Sequence, residues 1–384
     1  MPNDPTFVSS PTSPVRDIRD RKEPGPGVGL CLSGGGYRAM VFHVGVLWRL
    51  NEAGYLGKID RISSVSGGSI TAAVLGMNWR SLDFNGKGVA RNLEGLLVTP
   101  VRQLADQSID VKTVLSGLFW RGTISEKVVA AYDKYLFHGK TLQDLPDRPR
   151  FVINSTNVQS GALWRFSKPY MADYRVGRVN APTVPLAVAV GASSAFPPFL
   201  SPASLHLAKG LVQPMDGVDL HREPYTTEPI LSDGGVYDNL GLETVWKSFK
   251  TVLVSDAGGA MDPEDSPKED WAQHSYRVLN LIDNQVRNLR KRQVIDSYRG
   301  GERQGAYWGI RTNIADYELP GTLSCPFDKT TKLADTPTRL KAMDPDLQER
   351  LINWGYAVCD AGLRRHVDPQ ISAPLGFPYR DRGV

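Results

Sequence analysis

Three glycine-rich turns constrain this chain more tightly than any bulk property: Ser33-Gly34-Gly35-Gly36-Tyr37-Arg38, Ser64-Val65-Ser66-Gly67-Gly68 and Ser232-Asp233-Gly234-Gly235. In order, they supply a bank of free backbone N–H groups, an exposed serine and a lone carboxylate. Ester hydrolysis through an acyl-enzyme needs those three parts, because a serine hydroxyl is a weak nucleophile until a base takes its proton and the resulting oxyanion finds donors.

The central turn lies between two regular elements. Ile59-Asp60-Arg61-Ile62-Ser63-Ser64-Val65 reads as a strand and Ile70-Thr71-Ala72-Ala73-Val74-Leu75 begins a helix, so Ser66 stands on a sharp strand-to-helix bend. Such a bend, a nucleophile elbow, needs small neighbours two residues either side, here Ser64 and Gly68, with Gly67 directly after the serine. It aims Ser66 at the first turn of the helix, whose unpaired N–H groups favour negative charge. A serine N-cap on a glycine-rich turn gives the same local sequence.

The first turn joins the short apolar strand Val28–Leu32 to the mostly apolar helix Met40–Leu50. A strand, a glycine loop and a helix N-terminus make an anion site, because successive amides converge where no side chain intrudes. The G-x-x-x-x-G-K-[ST] pattern is absent and Gly34, Gly35 and Gly36 do not fit G-x-G-x-x-G, so both phosphate-cradle readings are weak. An oxyanion hole remains, with Arg38 either supporting the loop or meeting a phosphate head group. The third turn supplies the base: Asp233 precedes two glycines, so its backbone can approach another loop closely. On its own, Asp-Gly-Gly is ordinarily just a turn.

Taken together, these residues resemble the patatin-like phospholipases, a family of lipid acyl hydrolases. The resemblance rests on Gly34-Gly35-Gly36-Tyr37-Arg38 as oxyanion loop, Ser66 as nucleophile and Asp233 as its partner. Ala192-Ser193-Ser194-Ala195-Phe196-Pro197 is similar to the family's Ala-Ser-Ser-Ala-x-Pro segment, and Asn239 follows the Asp-Gly-Gly. Four motifs in the family's order cover Gly27–Gly259. Ser64 stands where the family mostly has glycine and Ala39 follows Arg38 where glycine is usual; both replacements are small.

The resemblance implies an α/β fold: a three-layer sandwich with a mostly parallel central sheet, the patatin-like variant of the α/β-hydrolase type. It also implies a Ser-Asp dyad of Ser66 and Asp233, an oxyanion hole formed by Gly34, Gly35 and Gly36 with Arg38, and neither cofactor nor metal. None of the six histidines lies in a comparable turn. His43 falls inside an apolar helix pattern and reads as a core histidine. His206 and His221 fall in the loop-rich stretch before Asp233, which leaves a Ser-His-Asp triad open. For Asp233 to act as base near neutral pH, burial must raise its affinity for a proton.

The strand candidates Phe151–Asn154, Ala162–Phe166 and Thr251–Ser255 alternate with helical or irregular stretches, as in a mostly parallel sheet covered on both faces. Residues 1–26 read as a flexible lead, 27–366 as one catalytic domain and 367–384 as a tail. Apolar residues at helical spacing over Val89–Leu104 and Val111–Phe119 mark a helical lid within 80–148. Gly305–Arg311 reads as an edge strand, and Asp346–Arg365 as a closing helix started by Asp344 and Pro345.

No signal peptide and no run of 18 uninterrupted apolar residues is found, and three cysteines without metal-ligand spacing suit a reduced cytosolic setting. The net charge of +4 does not call for a nucleic-acid polymer. The Arg287–Arg292 cluster continues an amphipathic pattern through Val278, Ile282, Val286 and Leu289 and reads as a solvated helix face. The expected partner is a phospholipid at a membrane surface, with peripheral association during action. The resemblance admits a small-molecule activator and a homo-oligomer. A catalytically silent regulatory module and an acyltransferase are the alternatives to hydrolysis.

Overall fold

The computed structural model describes residues 24–109, 123–198 and 200–384. Two strand–turn–helix units come first. β1 (Gly25–Leu32) runs through the triple glycine into α1 (Gly36–Glu52), and β2 (Arg61–Ser64) runs through Ser66 into α2 (Gly67–Asn78). There follow α3 (Thr99–Ala105), α4 (Ile124–Tyr132), β3 (Arg150–Asn157), β4 (Ala162–Phe166), β5 (Tyr170–Asp173), β6 (Gly177–Asn180), α5 (Leu186–Ser193), β7 (Ala203–Ser204) and β8 (Ile230–Asp233). The chain continues with α6 (Gly235–Asp238), α7 (Glu243–Trp246), β9 (Phe249–Asp256), α8 (Trp271–Arg299), β10 (Gln304–Gly309), α9 (Phe327–Ala334) and α10 (Pro345–His366).

The sheet order is β10-β9-β1-β2-β3-β4-β5-β6, with β8 also pairing β3 and β7 pairing β8. The expected parallel core is the first five strands of that order. β4 to β8 add antiparallel strands, so the sheet as a whole is mixed. Register brings the three glycine turns to one end. Leu32 pairs Ser64, Ser64 pairs Ile153, and Ser155 two residues further on pairs Asp233. Ser66 and Asp233 therefore lie level with each other, where open α/β sheets place their ligands.

Alternation along the strands sorts the apolar residues into two layers. Leu30 and Leu32 of β1 and Leu253 of β9 join the larger cluster with α1, α2 and α10, whereas Cys31, Val252 and Val254 join a smaller one with Val245 and Val294. These are the two faces of a three-layer α/β sandwich. All three cysteines are free and buried. α10, capped by Asp344, lies along α1, and glycines make the crossing possible. A Cβ on Gly45 would strike the Ile352 carbonyl, and one on Gly355 the Phe42 carbonyl. Gly355→Ala is therefore expected to destabilise, although alanine outranks glycine as a helix former by about 1 kcal/mol. Overpacking costs about 2 kcal/mol here, or about 2–3 °C in Tm for a chain of this length. A thermal melt that moves upward would contradict this close crossing.

Two expectations change. In the segment 80–148, Val111–Phe119 lies outside the described residues, and none of the described remainder lines the cavity around Ser66. Leu82, Leu93, Leu97, Val101 and Leu104 are buried in the main core, so the described part of this stretch, 82–104, is spent on packing. The stretch beyond Val367 lacks regular structure but is fastened to α10. Asn353 exchanges hydrogen bonds with the Tyr379 backbone and donates to Gly383 O, Arg382 pairs with Glu349 at 2.9 Å, and Val384 is buried. Of the expected N-terminal lead, residues 1–23 lie outside the described residues, and β1 already starts at Gly25.

Candidate active site

Ser66 sits between β2 and α2 with φ 51° and ψ −122°, a region that side-chain-bearing residues seldom occupy. It holds the N-cap position, yet its side chain caps nothing. That separates it from an ordinary N-cap serine. The small neighbours have a steric reason: a Cβ on Gly67 would strike the Gly36 carbonyl, and one on Gly68 would come within 2.5 Å of Leu32 O. The start of α2 is thus laid directly on the glycine loop.

The Ala-Ser-Ser-Ala segment supports this bend. Ser66 N–H donates to Ser193 Oγ at 3.0 Å, and Ser193 in turn donates to Asn154 O at 2.7 Å. Ser69 reaches both Ser193 and Ser64, at 2.9 and 3.1 Å, so the serine at position 64 joins the same network. The resemblance marks Ser193 within its Ala-Ser-Ser-Ala segment but gives it no task; its role comes from where β3 and α5 meet α2.

Asp233 ends β8. Its N–H donates to Ala195 O at 2.9 Å and its carbonyl accepts from Thr156 Oγ1 at 2.8 Å, which fixes the backbone on both sides. Gly234 must lack a side chain because a Cβ there would strike Asn154 O. The side chain is only 2% exposed. Oδ1 accepts from Gly235 N–H at 2.7 Å, while buried Oδ2 makes no hydrogen bond of normal geometry. The Ser66 hydroxyl is near enough to draw the carboxyl pKa down, so the two groups face each other in a contact looser than a well-formed hydrogen bond. Burial dominates the net effect and, with the Asp283 charge nearby, raises Asp233 to about 7.

The glycine loop is used selectively. Gly34 N–H donates to Asn239 O at 3.0 Å, so it is not a free donor and drops out of the expected oxyanion set. Arg38 drops out as well. Its guanidinium donates to Ala257 O from Nε and Nη2 at 3.2 and 3.0 Å and to Thr336 O, bracing the loop from outside the cavity. Burial, then the charges of Arg311 and Arg287, lower its pKa to about 10. Gly35 and Gly36 remain, with φ of 142° and 59°, and both line the cavity. Among the described residues their N–H groups have no partner, and neither does that of Gly67, which directly follows Ser66. No acidic residue stands in the first turn of α1 or α2, so the positive ends of both helices are left for an anion.

The cavity over these groups measures about 940 Å³. One wall is α8, through Tyr276, Arg277, Asn280, Asp283, Asn284 and Arg287. This reverses the expected orientation: Val278, Ile282, Val286 and Leu289 are exposed, while Arg287 is buried and Lys291 pairs with Asp256 at 3.2 Å. Periodicity located the helix and its two faces but could not say which one turned inward.

No histidine lines the cavity. His43 is fully buried, its Nε2 donating to Ser33 O and its Nδ1 accepting from Ser255 Oγ, each at 3.0 Å. Burial depresses its pKa to about 4, as for a neutral core histidine. His206 faces Glu228 at the surface and His221 bonds Val176 O. Among the described residues, no group of three His, Cys, Asp or Glu is placed to hold a metal ion.

The family model for patatin-like phospholipase matches residues 30–246. No curated protein sequence matches the chain. Among solved structures, human GIVD cytosolic phospholipase A2 is similar in fold at 13% identity and a TM-score of 0.50, over 89% of this chain and 61% of that one. The same human enzyme in complex with methyl gamma-linolenyl fluorophosphonate gives 15% identity and a TM-score of 0.51, over 88% of this chain and 57% of that one. VipD from Legionella pneumophila matches at 15% identity and a TM-score of 0.35, over 90% of this chain and 67% of that one. The chain thus spans about three fifths of the human enzyme.

Proposed function

The chain belongs to the patatin-like phospholipase family, and from that premise we propose that it is a serine lipid acyl hydrolase cleaving fatty acyl esters of membrane phospholipids. One observation carries the reading: the uncapped hydroxyl of Ser66 lies close to the buried Asp233 carboxyl, whose Oδ2 has no partner, beside amides that have none either. Asp233 takes the Ser66 proton as Oγ attacks the ester carbonyl, and the N–H groups of Gly35, Gly36 and Gly67 receive the oxyanion. The proton passes to the leaving alcohol, and the acyl group stays on Ser66. Water, deprotonated by Asp233, then attacks the acyl-enzyme; the acyl–Oγ bond breaks, the fatty acid leaves, and Asp233 returns the proton to Ser66 Oγ.

One feature supports action at a lipid surface. α8 exposes Leu279, Ile282 and Leu289 while its other face lines the cavity, which suits an interfacial helix more than a solvated one.

The test is hydrolysis of mixed bacterial phospholipids in H2(18)O. Release of fatty acid with one 18O in its carboxyl group, together with the matching lysophospholipid, is the expected result. Acyl groups recovered only on an added alcohol would make the protein an acyltransferase, and no turnover of any acyl ester would overturn the reading.

A further inference from the structure

A second cavity, of about 340 Å³, opens further along α8 at the C-terminal ends of β9 and β10. Its lining is strongly basic. Arg287, Lys291, Arg292, Arg299 and Arg311 stand against Asp256 and Asp296. Both carboxylates are already paired, Asp256 with Lys291 at 3.2 Å and Asp296 with Arg299 at 3.9 Å, and Arg311 pairs with Asp335 at 2.8 Å. Among the described residues, Arg287 and Arg292 have no ion-pair partner.

Arg287 is the informative one. It is 8% exposed, and its Nε is buried without a hydrogen-bond partner. One terminal nitrogen, Nη2, donates to Gly259 O and to Asn284 Oδ1. Asp256 and Asp283 both feel its charge, but neither pairs with it. A guanidinium withdrawn from water without a counter-ion is costly. That cost is compounded by like charge: Arg287 is near enough to Arg38 to lower its pKa, and Arg311, which does the same, lines this cavity beside Arg287. Burial works to raise the Asp256 pKa, yet Lys291 and Arg287 hold it well below the carboxylate range, so it stays charged; with Asp296 it sets two carboxylates against five basic side chains in the lining.

We propose that this cavity is a phosphate-binding subsite, filled by the phosphate of a phospholipid head group or by a soluble phosphate compound. Arg287 and Arg292 of α8, which have no ion-pair partner among the described residues, line this cavity together with Arg311 from the loop after β10, a lining that suits an oxyanion with acceptors on every side better than a planar carboxylate. Arg287 and Gly258 line this cavity and the catalytic one alike, so an anion here lies next to the chemistry. The anion site stands on these residues alone; its link to hydrolysis rests on the proposed function.

The test uses the full chain and inorganic phosphate as probe. Thermal melts at rising phosphate are compared with chloride at matched ionic strength. Wild type and Ser66→Ala are expected to gain about 2 °C once phosphate reaches about ten times its Kd. Arg292→Ala alters an exposed side chain and spares the fold, while Arg287→Lys keeps charge but loses the fork. Each is expected to weaken phosphate binding about tenfold. No gain over chloride, or unchanged phosphate affinity in both variants, overturns the site.

The source is separated with phosphatidylglycerol and a diacylglycerol of the same chains in identical micelles. A head-group source predicts that wild type prefers the phospholipid and that Arg292→Ala loses about tenfold of that preference. A soluble source leaves the preference unchanged, while added phosphate alters diacylglycerol turnover by wild type and not by Arg292→Ala. Phosphate stabilisation without hydrolysis of any ester overturns the proposed function and leaves the site standing.

Discussion

Ser66→Ala is expected to abolish fatty acid release while the protein stays folded. Loss of the nucleophile removes covalent catalysis altogether, and comparable serine enzymes fall by about 10⁴–10⁶ in kcat. The fold should tolerate the change, because the Ser66 side chain makes no capping bond and alanine meets the same steric conditions at φ 51° as serine. The network that holds the bend acts through the Ser66 backbone N–H and is untouched. Fatty acid release measured beside a melting curve separates the two effects. Activity within tenfold of wild type would remove Ser66 from the chemistry.

Asp233→Asn is expected to cost nearly as much activity, and it carries a second, independent signature in pH. The wild-type carboxyl must be ionised to act as base, so kcat/KM should rise through an apparent pKa near 7 and level off above it. Stability should run the opposite way. In the unfolded chain the carboxyl titrates near its ordinary value of 3.8, whereas in the native state it keeps its proton to about 7. Across that window the unfolded state has shed a proton that the native state still holds, so raising pH favours unfolding. Above pH 7 the accumulated cost is about 4 kcal/mol. Asparagine at 233 is free of it and should melt about 5 °C above wild type at pH 8. That gap should shrink toward pH 4. A flat pH–rate profile with full activity in Asp233→Asn would exclude it as the base.

Much of the site could be read from the chain because tight turns leave a local record. Ser66 between Ser64 and Gly68, and Asp233 before Gly234, are marked by the small neighbours their close approaches require, as Leu32 O and Asn154 O show. The strands at Phe151, Ala162 and Thr251 and the closing helix from Pro345 were legible in the same way, from short apolar runs and a start signal. What could not be read depends on distant partners. Gly34 looks like its two neighbours until its amide is found on Asn239 O, and Arg38 looks like a ligand until its fork is found on Ala257 O. The facing of α8 is of the same kind. An amphipathic stripe records two faces but not which one meets a polar cavity, and the antiparallel direction of β3 to β6, which their three- and four-residue links impose, becomes legible only once β5 and β6 are known to be strands.

The most direct measurement is covalent. Wild type incubated with an alkyl fluorophosphonate, digested and mapped by mass spectrometry should carry one phosphonyl adduct, on Ser66, formed faster as pH rises through about 7. Ser66→Ala should remain unlabelled. An adduct on any other residue, or unimpeded phospholipid hydrolysis by protein that stays unlabelled, would contradict the Ser66–Asp233 account.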